Sequence, residues 1–215
     1  MITRLWFGTR RDGLDLPAFS AHWHDVHGPF GLAIPGLRAY VQNHLLPDPS
    51  PLSPPWFDGC SELDFTDVPA MVAAFASPEL AAADADERAF ADPDRFGVVV
   101  TVRRHLAGEA SRDTPARLLV VVGPPEDGAT EAARRASAAL LADHAIDVGA
   151  IRAELLVAVD GAPEAQAADH VQSLWFPDVA ALRAAAGDWT ARVARVDALQ
   201  RLDRWPALVG PRRMR

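Results

Sequence analysis

The residues best suited to proton transfer lie in one stretch of the chain, between positions 19 and 44. This stretch contains His27, His44 and Tyr40, which is the one tyrosine of the sequence. An imidazole can take or give a proton near neutral pH, because its unperturbed pKa is about 6.5. A buried phenol can anchor or polarise a carbonyl oxygen. We therefore take His44 as the candidate proton-transfer residue, with Tyr40 and His27 assisting it.

The strand predicted at the end of this stretch has a polar face. Side chains alternate along a strand, so that one face carries Arg38, Tyr40, Gln42 and His44. We expect Tyr40, Gln42 and His44 to reach the same enclosed volume. Gln42 and Arg38 are candidates for substrate binding, as is Trp6 on the first predicted strand.

A strand predicted over 56–65 adds two further candidates, Cys60 and Glu62. Glu62 could act as a general base, or it could pair with Arg4 or Arg38. Cys60 could contact a substrate, or it could be a small buried hydrophobic residue, which is the commoner role of a lone cysteine.

A helix must position His27. It is predicted to begin at Asp15 as N-cap and to end at Gly28-Pro29, because proline cannot continue the hydrogen-bond ladder. His27 would then lie in the last turn, where the helix dipole favours a partly positive side chain, so that a structural role remains open beside a catalytic one. The predicted apolar stripe of this helix consists of Phe19, Trp23, Val26 and Phe30.

The sequence predicts a protein without metal, haem or flavin. His22 and His24 diverge on a helix, and no third residue completes a metal-site spacing. All 21 positively charged residues are arginine, which excludes Schiff-base chemistry through lysine and a phosphate-binding Walker lysine. No glycine-rich nucleotide fingerprint follows a predicted strand.

The predicted order of elements is βαββαβ, and it occurs twice. Phe65 recurs as Phe176 at a spacing of 111 residues, and Arg38 recurs as Arg152 at a spacing of 114. The sequence therefore predicts domains over 1–107 and 116–211. Strands of the second half are predicted at 117–122, 150–159, 169–176 and 199–208, with helices at 130–144 and 179–196.

Each half is predicted to be a ferredoxin-like α+β unit whose open sheet face must be buried. We expect the two sheets to pack face to face as one intramolecular α+β barrel. The polar face of His44, together with Cys60, Glu62 and Asp64, is expected to point into that barrel. In the second half Glu154, Leu156 and Ala158 are aligned with Tyr40, Gln42 and His44, so this half looks degenerate. The proline-rich segment 47–55 is expected to cover the mouth.

Composition limits the partners that we expect. A net charge of −8 argues against binding to nucleic acid or to an anionic membrane. A single cysteine is consistent with a reducing compartment, and no segment approaches the ~20 apolar residues of a membrane span. The sequence predicts a cytoplasmic protein that acts on a small molecule, as a monomeric barrel or a homodimer of barrels.

The first hundred residues resemble the EthD-like family of the dimeric α+β barrel superfamily. The resemblance rests on Phe19, Trp23, His27-Gly28-Pro29, Pro35-Gly36-Leu37, the segment from Tyr40 to His44, Asp58-Gly59, Glu62 and the segment from Phe75 to Glu79. It implies a ferredoxin-like fold. Relatives include polyketide cyclases, cofactor-free oxygenases, lactone isomerases and dehalogenating lyases.

Two classes of function fit these observations. The first is a cofactor-independent enzyme that performs acid/base chemistry, such as cyclisation, isomerisation or dehydration, on a small aromatic or polyketide-like metabolite. A cofactor-free monooxygenase acting on the same substrates is its alternative. The second class is a non-catalytic protein that binds a ligand in the same pocket.

Overall fold

A computed structural model describes residues 1–46, 55–109, 111, 114–124, 130–164, 166–196 and 204–214. The strands are β1 (Ile2–Arg10), β2 (Ala39–Leu45), β3 (Gly59–Phe65), β4 (Ala91–Ala107), β5 (Ala116–Val122), β6 (Arg152–Ala158), β7 (His170–Phe176) and β8 (Arg204–Arg213). The α-helices are α1 (Leu16–His22), α2 (Gly28–Ala33), α3 (Val68–Phe75), α4 (Pro78–Phe90), α5 (Thr130–His144) and α6 (Val179–Ala194). A π-helical segment, Trp23–His27, joins α1 to α2.

The described strands close into one antiparallel barrel in the order β1-β3-β2-β8-β5-β7-β6-β4. Each half contributes four neighbouring strands in the ferredoxin-like order. The two halves meet where β4 pairs with β6 and where β2 pairs with β8. The prediction of two ferredoxin-like repeats joined in one intramolecular barrel is therefore confirmed. The domain limits 1–107 and 116–211 stay a prediction.

The barrel interior has an apolar layer and a polar layer. The apolar layer includes Leu5, Phe7, Cys60, Val99, Leu119, Val121, Leu156 and Val171. In the polar layer Glu62 lies between two arginines, Arg103 of β4 and Arg117 of β5. Arg103 also donates to Glu154 of β6, with Nη1 2.7 Å from Oε2. Because the Glu62–Arg117 and Arg103–Glu154 ion pairs cross between the halves, the two sheets share one interior.

The outer faces of the barrel are covered by helices. Helices α5 and α6 lie over the second sheet on a core that includes Leu118, Val120, Leu155, Leu174 and Trp189. Helices α1 to α4 and the π-helical segment lie over the first sheet, where the core includes Leu63, Phe65, Met71, Phe19, Trp23 and Phe90. No helix in the described residues is long and apolar enough to cross a membrane.

The prediction that Gly28-Pro29 ends the first helix was wrong. The chain continues as α2, and Pro29 lies in the first turn of this segment, where its missing N–H costs little. The predicted apolar stripe is also wrong at its second half, since Val26 is 46% and Phe30 is 37% exposed. The wider π-helical turn changes which side chains face the sheet, so that His27 is buried in place of Val26.

The polar face of β2 lies on the opposite side of the sheet from the prediction. Tyr40 is directly opposite Leu63 and His44 is opposite Gly59, which places both under the helices. Val41 and Asn43, opposite Glu62 and Cys60, face the barrel interior instead. The predicted position of His44, Tyr40 and Gln42 inside the barrel was therefore wrong, whereas Cys60, Glu62 and Asp64 do face inward.

The same one-residue shift corrects the alignment of the two halves. Leu63 and Leu174 are equivalent, and their partners are Tyr40 and Ala153. The counterparts of Gln42 and His44 are then Leu155 and Val157, rather than the residues aligned from the sequence. The closing strand β8 also lies later in the sequence than predicted, at Arg204–Arg213 instead of 199–208. It pairs with β5 and then with β2 up to residue 213. The proline-rich prediction falls mainly on 47–54, which lie outside the described residues.

Candidate functional site

A cavity of about 380 Å³ lies between the outer face of the first sheet and its helices. Strands β1 and β2 contribute Trp6 and Tyr40, and the π-helical segment contributes Trp23 and His27. Helix α4 contributes Glu87. The wall of the cavity is completed by residues that include Gly31, Ile34, Ser61, Leu63, Phe75, Leu80 and Ala83. The volume and the aromatic wall suit a small aromatic molecule.

Tyr40 lies on the floor of this cavity, and only 3% of it is exposed. Its hydroxyl accepts a hydrogen bond from Gln42, with Nε2 2.9 Å from Oη. Burial raises the pKa of Tyr40 to about 12, although donors from Gln42 and Trp23 oppose part of this rise. The phenol is therefore protonated at neutral pH.

His44 and Gln42 stand behind Tyr40 on the same face of β2. His44 Nε2 lies 3.1 Å from Gln42 Oε1, and His44 Nδ1 lies 2.6 Å from the Ser20 hydroxyl of α1. The Trp23 ring packs on the His44 ring at 4.6 Å between centroids. Neither His44 nor Gln42 is among the residues that line the cavity. They can reach a bound molecule through Tyr40.

His27 faces the cavity and is oriented by a carboxylate of α4. Its Nδ1 lies 3.0 Å from Oδ2 of Asp86, which also lies 3.2 Å from His22 Nε2 through Oδ1. Because a carboxylate can only accept, His27 Nδ1 carries the hydrogen, and Nε2 keeps its lone pair in the neutral ring. Burial lowers the pKa of His27, and Asp86 opposes this shift in part. The ring is therefore a neutral, oriented base.

Glu87 provides a second titratable group in the cavity. Burial raises its pKa to about 7, with Asp84 adding to the rise and Arg4 opposing it. Trp6 Nε1 makes no hydrogen bond to a described residue, although the indole is close enough to Glu87 to oppose part of the shift. A carboxyl with this pKa can give or take a proton near neutral pH.

Among the described residues, the second half contributes Glu164 to the cavity wall. Arg4 of β1 donates two hydrogen bonds to Glu164, from Nε and Nη2, each 2.8 Å long. The Arg4 guanidinium also lies over the Phe75 ring at 4.7 Å. Glu164 belongs to the segment between β6 and β7. The fused second half therefore helps to enclose the site of the first.

The other predicted site residues lie elsewhere. Glu62 is in the barrel interior, where Arg117 and Arg103 hold its pKa well below the usual range although burial favours the neutral form. Cys60 belongs to the apolar layer of the barrel, and burial raises the pKa of its thiol well above the usual value. Arg38 is exposed before β2. The structure thus brings together His27, Tyr40 and Trp6, and separates them from these three.

Larger side chains fill the corresponding region of the second half. His170 and Gln172 of β7 occupy the positions of Gly59 and Ser61, and Trp189 packs beside them with Nε1 2.9 Å from Gln172 Oε1. Polar groups there are hydrogen-bonded to one another, namely Ser137, Asp169, His170 and Gln172. All of these residues are buried between the helices and the sheet.

Sequence reasoning missed Glu87 and Asp86. A signal was present for Glu87, because Ala83, Glu87 and Phe90 recur at helical spacing and would place a carboxyl on a buried stripe. Asp86 carried no such signal, since its role depends on the position of His27. Among the described residues, no group of three or more histidine, cysteine, aspartate or glutamate side chains could hold a metal ion.

Known proteins resemble this chain in sequence over its first part and in fold over its whole length. The family model described as EthD domain matches residues 11–94. None of the curated proteins matches the chain. An EthD family protein from Bacillus halodurans is 23% identical; the alignment spans 52% of this chain and 100% of that protein, with a TM-score of 0.40.

Several solved structures match nearly the complete chain, and two of them illustrate the likeness. An anthrone oxidase-like protein has a TM-score of 0.63 at 12% identity over 99% of this chain and 93% of its own. A monooxygenase-like protein from Fusobacterium nucleatum has a TM-score of 0.57 at 7% identity over 100% of this chain and 92% of its own. At such identities the likeness shows the fold alone. The predicted resemblance is confirmed, because the EthD domain model matches residues 11–94 and the whole chain shares its tandem barrel fold with these solved structures.

Proposed function

We propose that this protein is a cofactor-independent enzyme that moves a proton on a small aromatic carbonyl compound held in the cavity of the first half. One observation carries this proposal. A neutral histidine oriented by Asp86, a carboxyl with a pKa of about 7 and a protonated phenol face the same aromatic cavity. His27, Glu87 and Tyr40 would supply the base, the acid and the oxygen-binding group.

The reaction needs only these groups. His27 Nε2 takes a proton from a carbon next to the carbonyl. The electron pair of that C–H bond forms a C=C bond to the carbonyl carbon, and the π electron pair of the C=O bond moves to the oxygen. Tyr40 donates a hydrogen bond to the resulting enolate, which stabilises the developing charge. Glu87 in its protonated form then delivers a proton to another atom or to a leaving hydroxyl. Isomerisation, cyclisation and dehydration share this first step.

The first step can be tested before the natural substrate is known. With 2-tetralone in D₂O, the protein should accelerate the exchange of the acidic carbon-bound protons, followed by NMR. His27→Ala should reduce the accelerated rate by roughly 10²–10⁴-fold, the usual contribution of a positioned base. His144→Ala, at the exposed end of α5, is the matched control and should leave the exchange unchanged. Equal rates for the His27 variant and the unmodified protein would contradict the proposal.

The alternative functions differ in the step that comes after proton removal. A cofactor-free monooxygenase would pass the carbanion to O₂, so that anthrone would cause oxygen uptake at an electrode in parallel with exchange. A ligand-binding protein would bind these compounds without accelerating exchange. We infer a small-molecule partner and a cytoplasmic location, with the barrel acting as a monomer or a homodimer.

A further inference from the structure

A line of hydrogen bonds runs beneath the π-helical segment from α1 to the cavity. Its members are Ser20, His44, Gln42 and Tyr40, and only Tyr40 lines the cavity. We propose that this line fixes Tyr40 as a hydrogen-bond donor, so that the site selects molecules with a carbonyl, enolate or phenolate oxygen at that point. Gln42 and His44 are then positioning residues. The inference rests on the proposed function for the choice of cavity.

The orientation of the Gln42 amide follows from its backbone partner. Gln42 Nε2 lies 2.8 Å from the carbonyl oxygen of Trp23, which can only accept a hydrogen bond. The nitrogen must therefore be on this side of the amide. Its second hydrogen points to Tyr40 Oη at 2.9 Å. Both hydrogens of the amide are thus used, and both are donated.

Tyr40 must consequently accept from Gln42. Its own hydroxyl hydrogen cannot return along the same bond and is available to an acceptor in the cavity. The Trp23 side chain also donates toward the Tyr40 hydroxyl oxygen, and this donor opposes part of the rise in the pKa of the phenol. Since the phenol remains protonated at neutral pH, it presents a hydrogen rather than a lone pair to the ligand.

His44 fixes the other end of the amide. Gln42 Oε1 is an acceptor, so His44 Nε2 carries the hydrogen in their 3.1 Å contact. In the neutral ring Nδ1 then accepts from the Ser20 hydroxyl at 2.6 Å. Each donor in the line therefore points toward the next residue and finally toward the cavity. His44 is 5% exposed and is packed by the Trp23 ring, which limits its reorientation.

Apolar residues replace this line in the second half. The equivalents of Tyr40, Gln42 and His44 are Ala153, Leu155 and Val157, all buried beneath α5 and α6. An apolar residue is thus compatible with packing at each position of the fold. The packing of the barrel therefore does not require polar residues at these three positions. We relate the three polar residues of the first half to the cavity instead.

The test uses 1-tetralone and tetralin, which share a shape and differ mainly in the carbonyl oxygen. Titrations followed by tryptophan fluorescence should show that the intact protein binds the ketone roughly 2–10-fold more tightly, the range expected for one hydrogen bond. Tyr40→Phe and Gln42→Leu should each bring this ratio close to one. Gln172→Leu removes a buried glutamine of the second half and should leave the ratio unchanged. Urea unfolding of each variant identifies any that fail to fold.

Four outcomes decide the matter. Loss of the ratio in both Tyr40→Phe and Gln42→Leu supports the inference. A ratio that Tyr40→Phe removes but Gln42→Leu keeps overturns the role of Gln42. Equal binding of ketone and hydrocarbon by the intact protein overturns the inference while leaving the cavity as an aromatic site. Binding of neither compound contradicts the proposed function itself.

Discussion

Two glutamates of the first half show how the surroundings of a carboxyl decide what it can do. Glu62 lies between Arg103 and Arg117 and stays ionised across the physiological range. Glu87 lies at a cavity where burial outweighs the nearby arginine, and its pKa rises to about 7. The first carboxylate can serve only as an ion-pair partner. The second can exchange a proton at neutral pH.

Replacing Glu87 with glutamine should change how stability depends on pH. The pKa of Glu87 rises from 4.5 to about 7 on folding, so the folded state binds its proton more tightly. The contribution of the neutral carboxyl to the unfolding free energy is then fully present below pH 4.5, and it is lost as the pH rises through 7. Between pH 5 and pH 8, Glu87→Gln should lose roughly 1–3 kcal/mol less unfolding free energy than the unmodified protein.

Urea unfolding at the two pH values measures this difference. Glu109→Gln, which replaces an exposed glutamate, should reproduce the pH dependence of the unmodified protein. If Glu87→Gln and Glu109→Gln behave alike, Glu87 titrates at an ordinary pKa, and its assignment as the acid of the site would be withdrawn.

At the level of elements, the π-helical segment determines which side chains reach the cavity. An uninterrupted α-helix through 19–30 would have buried Val26 and Phe30, as the spacing predicted. The wider turn instead places His27 and then Gly31 against the sheet, and a side chain at Gly31 would meet the Tyr40 ring at 2.5 Å. No feature of the sequence predicts this turn. In the structure the segment is held by residues distant in sequence, since Gln42 of β2 bonds the Trp23 carbonyl and Asp86 of α4 bonds His27.

The two faces of strand β2 were assigned to the wrong sides of the sheet for a different physical reason. In a barrel covered by helices both faces of a strand are buried, so the alternation of polar and apolar residues no longer distinguishes inside from outside. Asn43 and Gln42 are both fully buried on opposite faces. Strand β3 was oriented correctly because Leu63 and Phe65 form a continuous apolar face. The order of elements, the repeat and the N-cap at Asp15 were predictable from local patterns.

Gly59→Ala should disturb the π-helical segment, whose Trp23 forms part of the cavity wall. A Cβ at this position would lie 2.4 Å from the Trp23 ring, which is buried and packed against Trp6, Phe19 and His44. We expect the variant to lose about 1–3 kcal/mol of unfolding free energy, as overpacked cores do. Gly187→Ala is the control, since no atom lies near its added Cβ and a helix prefers alanine by about 1 kcal/mol.

Chemical denaturation of both variants should therefore give shifts of opposite sign. The Gly59 variant should also bind 1-tetralone more weakly, because a displaced Trp23 changes both the cavity wall and the carbonyl that holds Gln42. Unchanged stability and binding would show that the helix layer moves freely away from the sheet.

For the whole molecule, the polar layer of the barrel ties the halves together. Glu62 and Asn43 of the first half contact Arg117 of the second, and Arg103 of the first contacts Glu154 of the second. These groups are buried, so removal of one partner leaves a charge without compensation. Such a loss typically costs about 3–5 kcal/mol. The tandem chain therefore should behave as one cooperative unit, whatever the limits of its two sequence repeats.

Glu62→Gln tests this coupling, because it keeps the size of the side chain and removes the charge shared by Arg103 and Arg117. We expect a loss of about 3–5 kcal/mol that is felt equally in both halves. Incorporated 5-fluorotryptophan allows ¹⁹F NMR to follow Trp6 and Trp23 in the first half and Trp175 and Trp189 in the second during urea unfolding. All four resonances should share one midpoint, and Glu62→Gln should lower that midpoint for all of them together.

Arg95→Gln breaks only exposed ion pairs, so it should change stability by no more than about 1 kcal/mol. Separate midpoints for the two pairs of tryptophans would show that the halves unfold independently and that the shared interior does not couple them.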